Sequence, residues 1–323
     1  MTPSPLADMP TLPAATVPAH TATADTVATD ASLGTPARPA LRISHLDHAF
    51  GPRQVLEDIS LQVPAGRTVA LVGPSGCGKS TLLHLCAGLL THKSGEIDNG
   101  FRRTAILFQQ PHLLPWKTTL DNIALGLKAQ GKGARARETR ARAMGHALGL
   151  DEMALAQFPH QLSGGMQSRA ALARALVLDP DLLLLDEPFA ALDIGLRAQM
   201  HQLLLTQQRQ QALSVLMITH DIHEAITLAD SVLVMAAAPG RLVWRIDLPR
   251  PAQQRDDDWI SRHATALLAQ PVVRAAFDLP PLPATPSAGP AATAFTGQGG
   301  SAPIDAGLAL EPPGSSRHRS SRC

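Results

Sequence analysis

Residues 68–90 read TVALVGPSGCGKSTLLHLCAGLL, and this stretch decides the fold class. TVALVG predicts a short buried strand, and STLLHLCAGLL predicts a helix. The segment GPSGCGKST at 73–81 satisfies the pattern G-x-x-x-x-G-K-[ST], whose glycines let backbone N–H groups turn inward around phosphate oxygens. A strand, a glycine-rich loop and a helix N-terminus in this order favour a nucleotide site. The alternative, an ordinary glycine-rich turn, leaves Lys79 unexplained.

Each residue type in this loop has an expected task. Lys79 should reach the β- and γ-phosphates, and the Ser80 hydroxyl should coordinate Mg²⁺. Cys77 lies near a helix N-terminus, which should lower its thiol pKa, so we expect alkylation to block ATP binding and ATP to protect the thiol. The residues expected to bind ATP here are Gly73, Pro74, Ser75, Gly76, Cys77, Gly78, Lys79, Ser80 and Thr81.

Two further apolar segments end on polar side chains. LLLLDEP predicts a strand that delivers Asp186 and Glu187 to its carboxyl edge, where α/β sheets bind ligands. Asp186 should hold Mg²⁺, and Glu187 should polarise the water that attacks the γ-phosphate. The alternative is that the acidic pair caps a helix. VLMITH ends on His220, which we expect to contact the γ-phosphate, although a lone histidine is often structural.

The rest of the central region alternates between strand and helix patterns. LRISHLDHAF and LEDISLQVP alternate apolar and polar residues and predict antiparallel strands, whereas TAILFQQ and SVLMITHD predict further strands. Residues 126–157 have helical composition, interrupted at 131–133. We therefore predict an α/β fold: a P-loop NTPase parallel-sheet core, an antiparallel β subdomain before it, and an inserted α-helical subdomain at about 110–165.

Composition sets the expected boundaries. Residues 1–40 contain seven prolines and no aromatic residue, and 276–323 are rich in Pro, Gly and Ser, so both are predicted to be disordered tails. The predicted globular domain is 41–275. The basic ending SSRHRSSR could touch anionic lipid or RNA, or could simply be solvated.

Bulk properties exclude several classes of protein. Charged residues are 17% of the 323-residue chain and the formal net charge is +1, which indicates no nucleic-acid partner. Three cysteines without a spaced framework fit a reducing compartment. No apolar stretch is long enough to span a bilayer and no secretory signal is evident. If the protein works at a membrane, we expect a partner to hold it there.

The segment HQLSGGMQSRAALARAL, residues 160–176, places a serine and two glycines before a helix, as an ordinary cap or as an anion site. Together the P-loop, LSGG, the acidic pair and His220 resemble, in order and spacing, the ATPase subunit of ATP-binding cassette (ABC) transporters. The resemblance covers about residues 41–250. In that family two subunits pack head to tail, which implies that Ser163, Gly164 and Gly165 cap the γ-phosphate held by the partner's P-loop.

The resemblance implies further residues by motif. Gln109 looks like the glutamine that touches Mg²⁺ or the attacking water, and Asp193 in AALD looks like the aspartate that crosses the dimer interface. Phe50 looks like the aromatic that stacks on adenine, in place of the more usual tyrosine; its alternative is a core aromatic. Met166 and Ser168 stand where many relatives have glutamine.

The resemblance also implies a function and partners. We expect an ATPase, converting ATP and water to ADP and phosphate with Mg²⁺, that drives an importer as a homodimer on two permease subunits with a separate solute-binding protein. It should lie peripherally on the cytoplasmic face of the inner membrane. LLPW at 113–116 looks like the nitrate, sulfonate, taurine or thiamine-precursor importers, so the solute is expected to be a small anion or sulfonate-like compound. A soluble ABC-type ATPase and a non-hydrolytic nucleotide sensor are the alternatives.

For two further features the sequence leaves two interpretations open. Trp116 could pack within the helical subdomain or anchor the chain to the permease. The basic run at 128–146 could be a solvated linker and helix face near anionic headgroups, or it could be a nucleic-acid surface, although it has no interleaved aromatics for base stacking.

Overall fold

The computed structural model describes residues 40–190 and 192–282. The first strand begins at Ala40 and the last helix ends at Ala276, each one residue outside the predicted domain limits of 41 and 275. The remainder of the two predicted tails, at 1–39 and 283–323, lies outside the described residues. Within the described ranges no helix combines the length and the apolar character needed to cross a bilayer.

A six-stranded sheet forms the centre of the molecule. Its order is β5-β6-β7-β3-β8-β9, and only β9 runs antiparallel to its neighbour. Every residue of β3, β6 and β7 is buried, because helices or the second sheet cover both faces, which accounts for their continuous apolar sequence. The strands are β3 (Thr68–Val72), β5 (Thr104–Leu107), β6 (Leu182–Asp186), β7 (Ser214–Thr219), β8 (Ser231–Ala236) and β9 (Arg241–Asp247).

A second, antiparallel sheet has the order β2-β1-β4. The predicted pair is present as β1 (Ala40–Phe50) and β2 (Arg53–Pro64). The third strand, β4 (Ser94–Asn99), was not predicted. Its sequence SGEIDN is polar and exposed except for Ile97, so it lacks the alternation by which strands are recognised, and it forms by pairing with β1.

Helices cover the sheets and build the insertion. The predicted helix after the P-loop is shorter than expected, because its regular part ends at Cys86 and Gly88 follows with a positive φ. The predicted break at 131–133 separates two helices. The helices are α1 (Lys79–Cys86), α2 (Thr119–Ala129), α3 (Ala134–Ala147), α4 (Glu152–Ala156), α5 (Gly164–Leu176), α6 (Ile194–Gln211), α7 (Ile222–Leu228), α8 (Asp257–Leu268) and α9 (Pro271–Ala276).

The basic run belongs largely to α3, which is mostly exposed. Arg142 pairs with Glu138 and Glu152, and Arg140 pairs with Asp179. Acidic side chains thus neutralise part of the run, which favours the solvated helix face over a nucleic-acid surface. A parallel α/β core, an antiparallel β subdomain and inserted helices confirm the predicted fold class.

Candidate active site

The glycine-rich loop follows β3 at the carboxyl edge of the central sheet. Gly76 and Gly78 have φ values of 77° and 101°, which side chains other than glycine rarely adopt. A glycine is required at position 73 because of lack of space and not because of its φ value. A Cβ there would lie 2.4 Å from the Met235 carbonyl oxygen of β8, so only glycine lets the loop start this close to the sheet.

Lys79 lies inside this loop. Its Nζ donates hydrogen bonds to the carbonyl oxygens of Gly73, at 2.9 Å, and Pro74, at 2.8 Å, and the side chain is buried. No acidic side chain pairs with it among the described residues. A buried ammonium without a carboxylate partner, next to backbone N–H groups at a helix N-terminus, is suited to binding a polyanion.

The expectation that the helix N-terminus lowers the pKa of the Cys77 thiol is wrong, whereas the effect of alkylation on ATP binding stays a prediction. The thiol is only 1% exposed, and burial raises its pKa, although Lys79 opposes the shift with its Nζ 3.7 Å from Sγ. Desolvation of the thiolate therefore outweighs the helix N-terminus and the nearby ammonium. The sequence position could not reveal this, because burial depends on how the loop packs.

Asp186 and Glu187 occupy different environments. Asp186, the last residue of β6, is buried; burial raises its pKa, whereas a hydrogen bond with the Ser80 side chain opposes that rise. Glu187 follows with a φ of 45°, and its N–H donates to the Ile218 carbonyl of β7 at 3.0 Å. This constrained turn points the two carboxylates differently, and neither side chain caps a helix in the described residues.

Two side chains from neighbouring strand ends, Gln109 and His220, contact Glu187. Gln109 Nε2 donates to Glu187 Oε2 at 3.1 Å, and His220 Nδ1 lies 3.3 Å from Glu187 Oε1. Gln109 follows β5 and His220 follows β7, the two neighbours of β6, so parallel pairing brings all three to one edge. The His220 side chain is 62% exposed, so it is not buried in the core.

A cavity of about 540 Å³ connects the loop with this group. Phe50 is 52% exposed at its edge, so it is not a core aromatic. Arg53 and Val55 also line the cavity and were missed, because nothing in a charged turn residue or a strand valine signals a ligand. The lining is Phe50, Arg53, Val55, Ser75, Gly76, Gly78, Lys79, Ser80, Thr81, Gln109 and Glu187.

The oxygen atoms of Ser80 and Gln109, which line the cavity, and of the buried Asp186 next to Ser80 fit Mg²⁺. The Asp186 carboxylate and the Ser80 hydroxyl are hydrogen-bonded to each other, and Gln109 keeps its amide oxygen available because Nε2 makes the contact to Glu187. In the described part of the chain no group of three or more His, Cys, Asp or Glu side chains could hold a metal. Such a sparse protein set suits an ion that keeps water and binds phosphate oxygens.

The LSGG residues lie elsewhere on the surface. Ser163 caps α5, its Oγ accepting the Met166 N–H at 3.3 Å, and both Ser163 and Gly164 are exposed. None of the residues 163–165 lines the cavity that holds Lys79. Asp193 similarly caps α6, accepting the Leu196 N–H at 2.9 Å, and is exposed. The starts of α5 and α6 therefore lie outside the cavity of their own chain.

Trp116 is 71% exposed, so the interpretation in which it packs inside the helical subdomain is wrong. The turn that carries it is nevertheless held firmly. The fully buried Asn122 side chain accepts the Leu114 N–H and donates to the carbonyls of Leu114, Lys117 and Thr118. An exposed indole on a fixed turn is an arrangement found at protein interfaces.

Comparison with known proteins shows which family the chain is similar to. Residues 56–190 match the family model described as ABC transporter. An aliphatic sulfonates import ATP-binding protein, SsuB 3, from Pseudomonas savastanoi pv. phaseolicola is 42% identical over 253 residues, covering 76% of this chain and 89% of that protein. A taurine import ATP-binding protein, TauB, from Rhizobium johnstonii is 44% identical over 220 residues, covering 64% and 84%. The dimeric post-hydrolysis structure of the ATP-binding cassette MJ0796 with ADP and Pi superposes with a TM-score of 0.60 at 27% identity, covering 65% of this chain and all of that one.

Proposed function

The chain belongs to the ABC transporter family of ATPases, and on that premise we propose that it is the energy-coupling subunit of an importer for sulfonate-like anions. The proposal is carried by one observation: Gln109 and His220 converge on Glu187 at the edge of the cavity that contains Lys79. An acidic side chain held between an amide and an imidazole beside a polyanion site is arranged for hydrolysis of a phosphoanhydride.

Each side chain has a proposed part in binding ATP. The backbone N–H groups of the loop and the Lys79 ammonium bind the phosphates, and Phe50 stacks on adenine. Asp186, Ser80 and Gln109 would hold Mg²⁺, which when bound supplies charge neutralisation at the β- and γ-phosphates.

Hydrolysis uses the residues at the edge. Glu187 accepts a proton from the attacking water as the bond between the γ-phosphorus and the bridging oxygen breaks, leaving ADP and phosphate. Gln109 orients that water, and His220 contacts the γ-phosphate and holds the Glu187 carboxylate by their 3.3 Å contact. Glu187 is only 19% exposed, so few waters compete for its carboxylate.

The exposed starts of α5 and α6 are the proposed contacts to a second subunit. Ser163, Gly164 and Gly165 present a serine hydroxyl and unpaired N–H groups at a helix N-terminus, outside their own chain's cavity. In a head-to-tail homodimer they bind the γ-phosphate held by the partner's P-loop, and Asp193 crosses the same interface. The MJ0796 structure, to which the chain is similar, is described as dimeric.

The remaining partners are two permease subunits and a solute-binding protein. Trp116, exposed on its fixed turn downstream of Gln109, is the proposed contact to the permease. This attachment would hold the protein peripherally at the cytoplasmic face of the inner membrane. The relatives named for aliphatic sulfonates and taurine support a sulfonate or a similar small anion as the solute.

Co-purification tests the proposal. An affinity-tagged chain, expressed with the membrane proteins encoded beside its gene and extracted in detergent, should retain two permease subunits per pair of ATPase subunits. Trp116→Ala should lose them while keeping its ATP affinity, and the exposed Met153→Ala serves as the control. Recovery of an active ATPase with no membrane partner would instead favour the soluble alternative.

A further inference from the structure

Two helices that begin beside the catalytic edge are joined by two pairs of polar side chains, an arginine with an aspartate and a histidine with a glutamate. α6 begins directly after Asp193, and α7 begins two residues after His220. Two residues one turn apart on α6 face two residues at the start of α7. The pairs are Arg197 with Asp221 and His201 with Glu224, and together we call them the α6–α7 bridge.

The first pair ties the turn before α6 to the cap of α7. Arg197 Nη1 lies 3.9 Å from Asp221 Oδ2, and Arg197 Nη2 donates to the Leu192 carbonyl at 3.3 Å. The other oxygen of Asp221 accepts the backbone N–H groups of His223 and Glu224, at 2.8 and 3.2 Å. Any displacement of this guanidinium therefore acts on the residue that starts α7.

The second pair is more deeply buried and is incompletely bonded. His201 Nε2 lies 3.5 Å from Glu224 Oε1, with side chains only 13% and 6% exposed, and Nε2 makes no hydrogen bond. The His201 ring also packs edge-on against Phe189, with centroids 4.8 Å apart, two residues after Glu187. A small shift of either helix would change this 3.5 Å separation, so the contact depends on the relative position of α6 and α7.

We propose that the α6–α7 bridge transmits the state of one ATP site to the other. This inference rests on the proposed function, in which Asp193 crosses the interface between the two subunits. Docking of the partner displaces the start of α6, the bridge passes that displacement to α7, and the position of His220 relative to Glu187 changes. The four bridge residues touch no substrate, so they are positioning residues.

The decisive variant removes the second pair without leaving a buried charge. His201→Phe/Glu224→Leu keeps a ring against Phe189 and replaces both partners of the buried polar contact by apolar groups, so neither is left unpaired. ATP hydrolysis by the full-length protein is measured against ATP concentration, together with the affinity of ATP under non-hydrolysing conditions. Gln202→Ala, at an exposed position on α6, is the matched control.

The native chain and the control should hydrolyse ATP cooperatively, with a Hill coefficient approaching about 2. For the double variant the Hill coefficient should fall to about 1 and the maximal rate of hydrolysis should drop roughly tenfold. Its affinity for ATP should stay within about twofold of the native value. A loss of fold alone would not lower the Hill coefficient while leaving the affinity unchanged.

Retained cooperativity in the folded double variant would overturn the bridge. If the double variant does not fold, Arg197→Met is the second test, because the Arg197 side chain is partly exposed and its replacement should be tolerated. Native cooperativity of ATP hydrolysis in the Arg197→Met protein would also refute the inference. A native chain that neither dimerises with ATP nor hydrolyses it cooperatively would refute the proposed function itself, which separates the two failures.

Discussion

His220 Nδ1 lies 3.3 Å from Glu187 Oε1, while Gln109 Nε2 occupies the other oxygen of the same carboxylate at 3.1 Å. Both oxygens of Glu187 are thus held, and the side chain cannot turn freely into the cavity. A base restrained in this way loses little conformational freedom when water and nucleotide arrive, which favours proton abstraction.

Glu187→Gln should keep this geometry and remove the base. We expect ATP hydrolysis to fall by roughly two to four orders of magnitude, which is the usual contribution of a general base. ATP binding should persist and should accumulate the dimer, measured by light scattering coupled to gel filtration. Asp257→Asn, at an exposed position on α8, is the control. Hydrolysis at the native rate would remove Glu187 from this role.

Gly164→Asp tests the partner-facing helix start. A Cβ at Gly164 meets no atom within 4 Å, and an acidic residue in the first turn of α5 should leave folding unchanged or slightly favoured. The same charge would repel the partner's γ-phosphate. ATP-dependent dimerisation of the Glu187→Gln protein should therefore be lost.

Gly164→Ala adds volume without charge and is the comparison for Gly164→Asp. The alanine variant should dimerise more strongly with ATP than the aspartate variant. Equal dimerisation of the two proteins, with unchanged thermal unfolding, would show that residues 163–165 do not face the nucleotide.

Phe50→Ala should weaken ATP binding by about tenfold, equivalent to roughly 1.4 kcal/mol, because it removes the stacking surface. The side chain is exposed, so stability should change little. Phe50→Tyr retains a ring and should bind ATP like the native protein. The comparison is best made by titration calorimetry with the Glu187→Gln background; equal affinities for Ala and Tyr would exclude stacking.

Cys77 should be slow to alkylate in the folded protein. Burial raises its pKa, so the thiolate fraction at pH 7 to 8 is smaller than for a thiol in the unfolded chain, in addition to the steric protection. Labelling with iodoacetamide, followed by peptide mass spectrometry, should be at least tenfold faster in urea. Rapid labelling of the native protein would contradict the buried position.

Cys86 should make stability fall at alkaline pH. Burial raises its pKa from 9.0 to about 12, so the unfolded thiol loses its proton first as the pH rises. The stabilisation is complete below pH 9 and is lost between pH 9 and about 12, with a slope of up to about 1.4 kcal/mol per pH unit. Urea unfolding of native and Cys86→Ala proteins at several pH values isolates this contribution. Parallel pH dependences would refute it.

Local sequence determined the parts of the protein whose chemistry needs contiguous residues. The GPSGCGKST loop, the apolar strand ending at Asp186 and Glu187, and the LSGG helix start are each readable because a few neighbouring residues set both backbone shape and chemistry. Their order along the chain was sufficient to indicate the family and the α/β core.

Tertiary structure alone decided what depends on pairing and burial. Strand β4 exists through its pairing with β1, and the pKa of Cys77 is raised because packing of the loop buries its thiol. The contacts of Glu187 with Gln109 and His220 span 78 and 33 positions in the chain, and parallel register closes both distances. Buried pairs such as His201 with Glu224 carry no local signature, because desolvation is a property of the folded neighbourhood and not of the residues themselves.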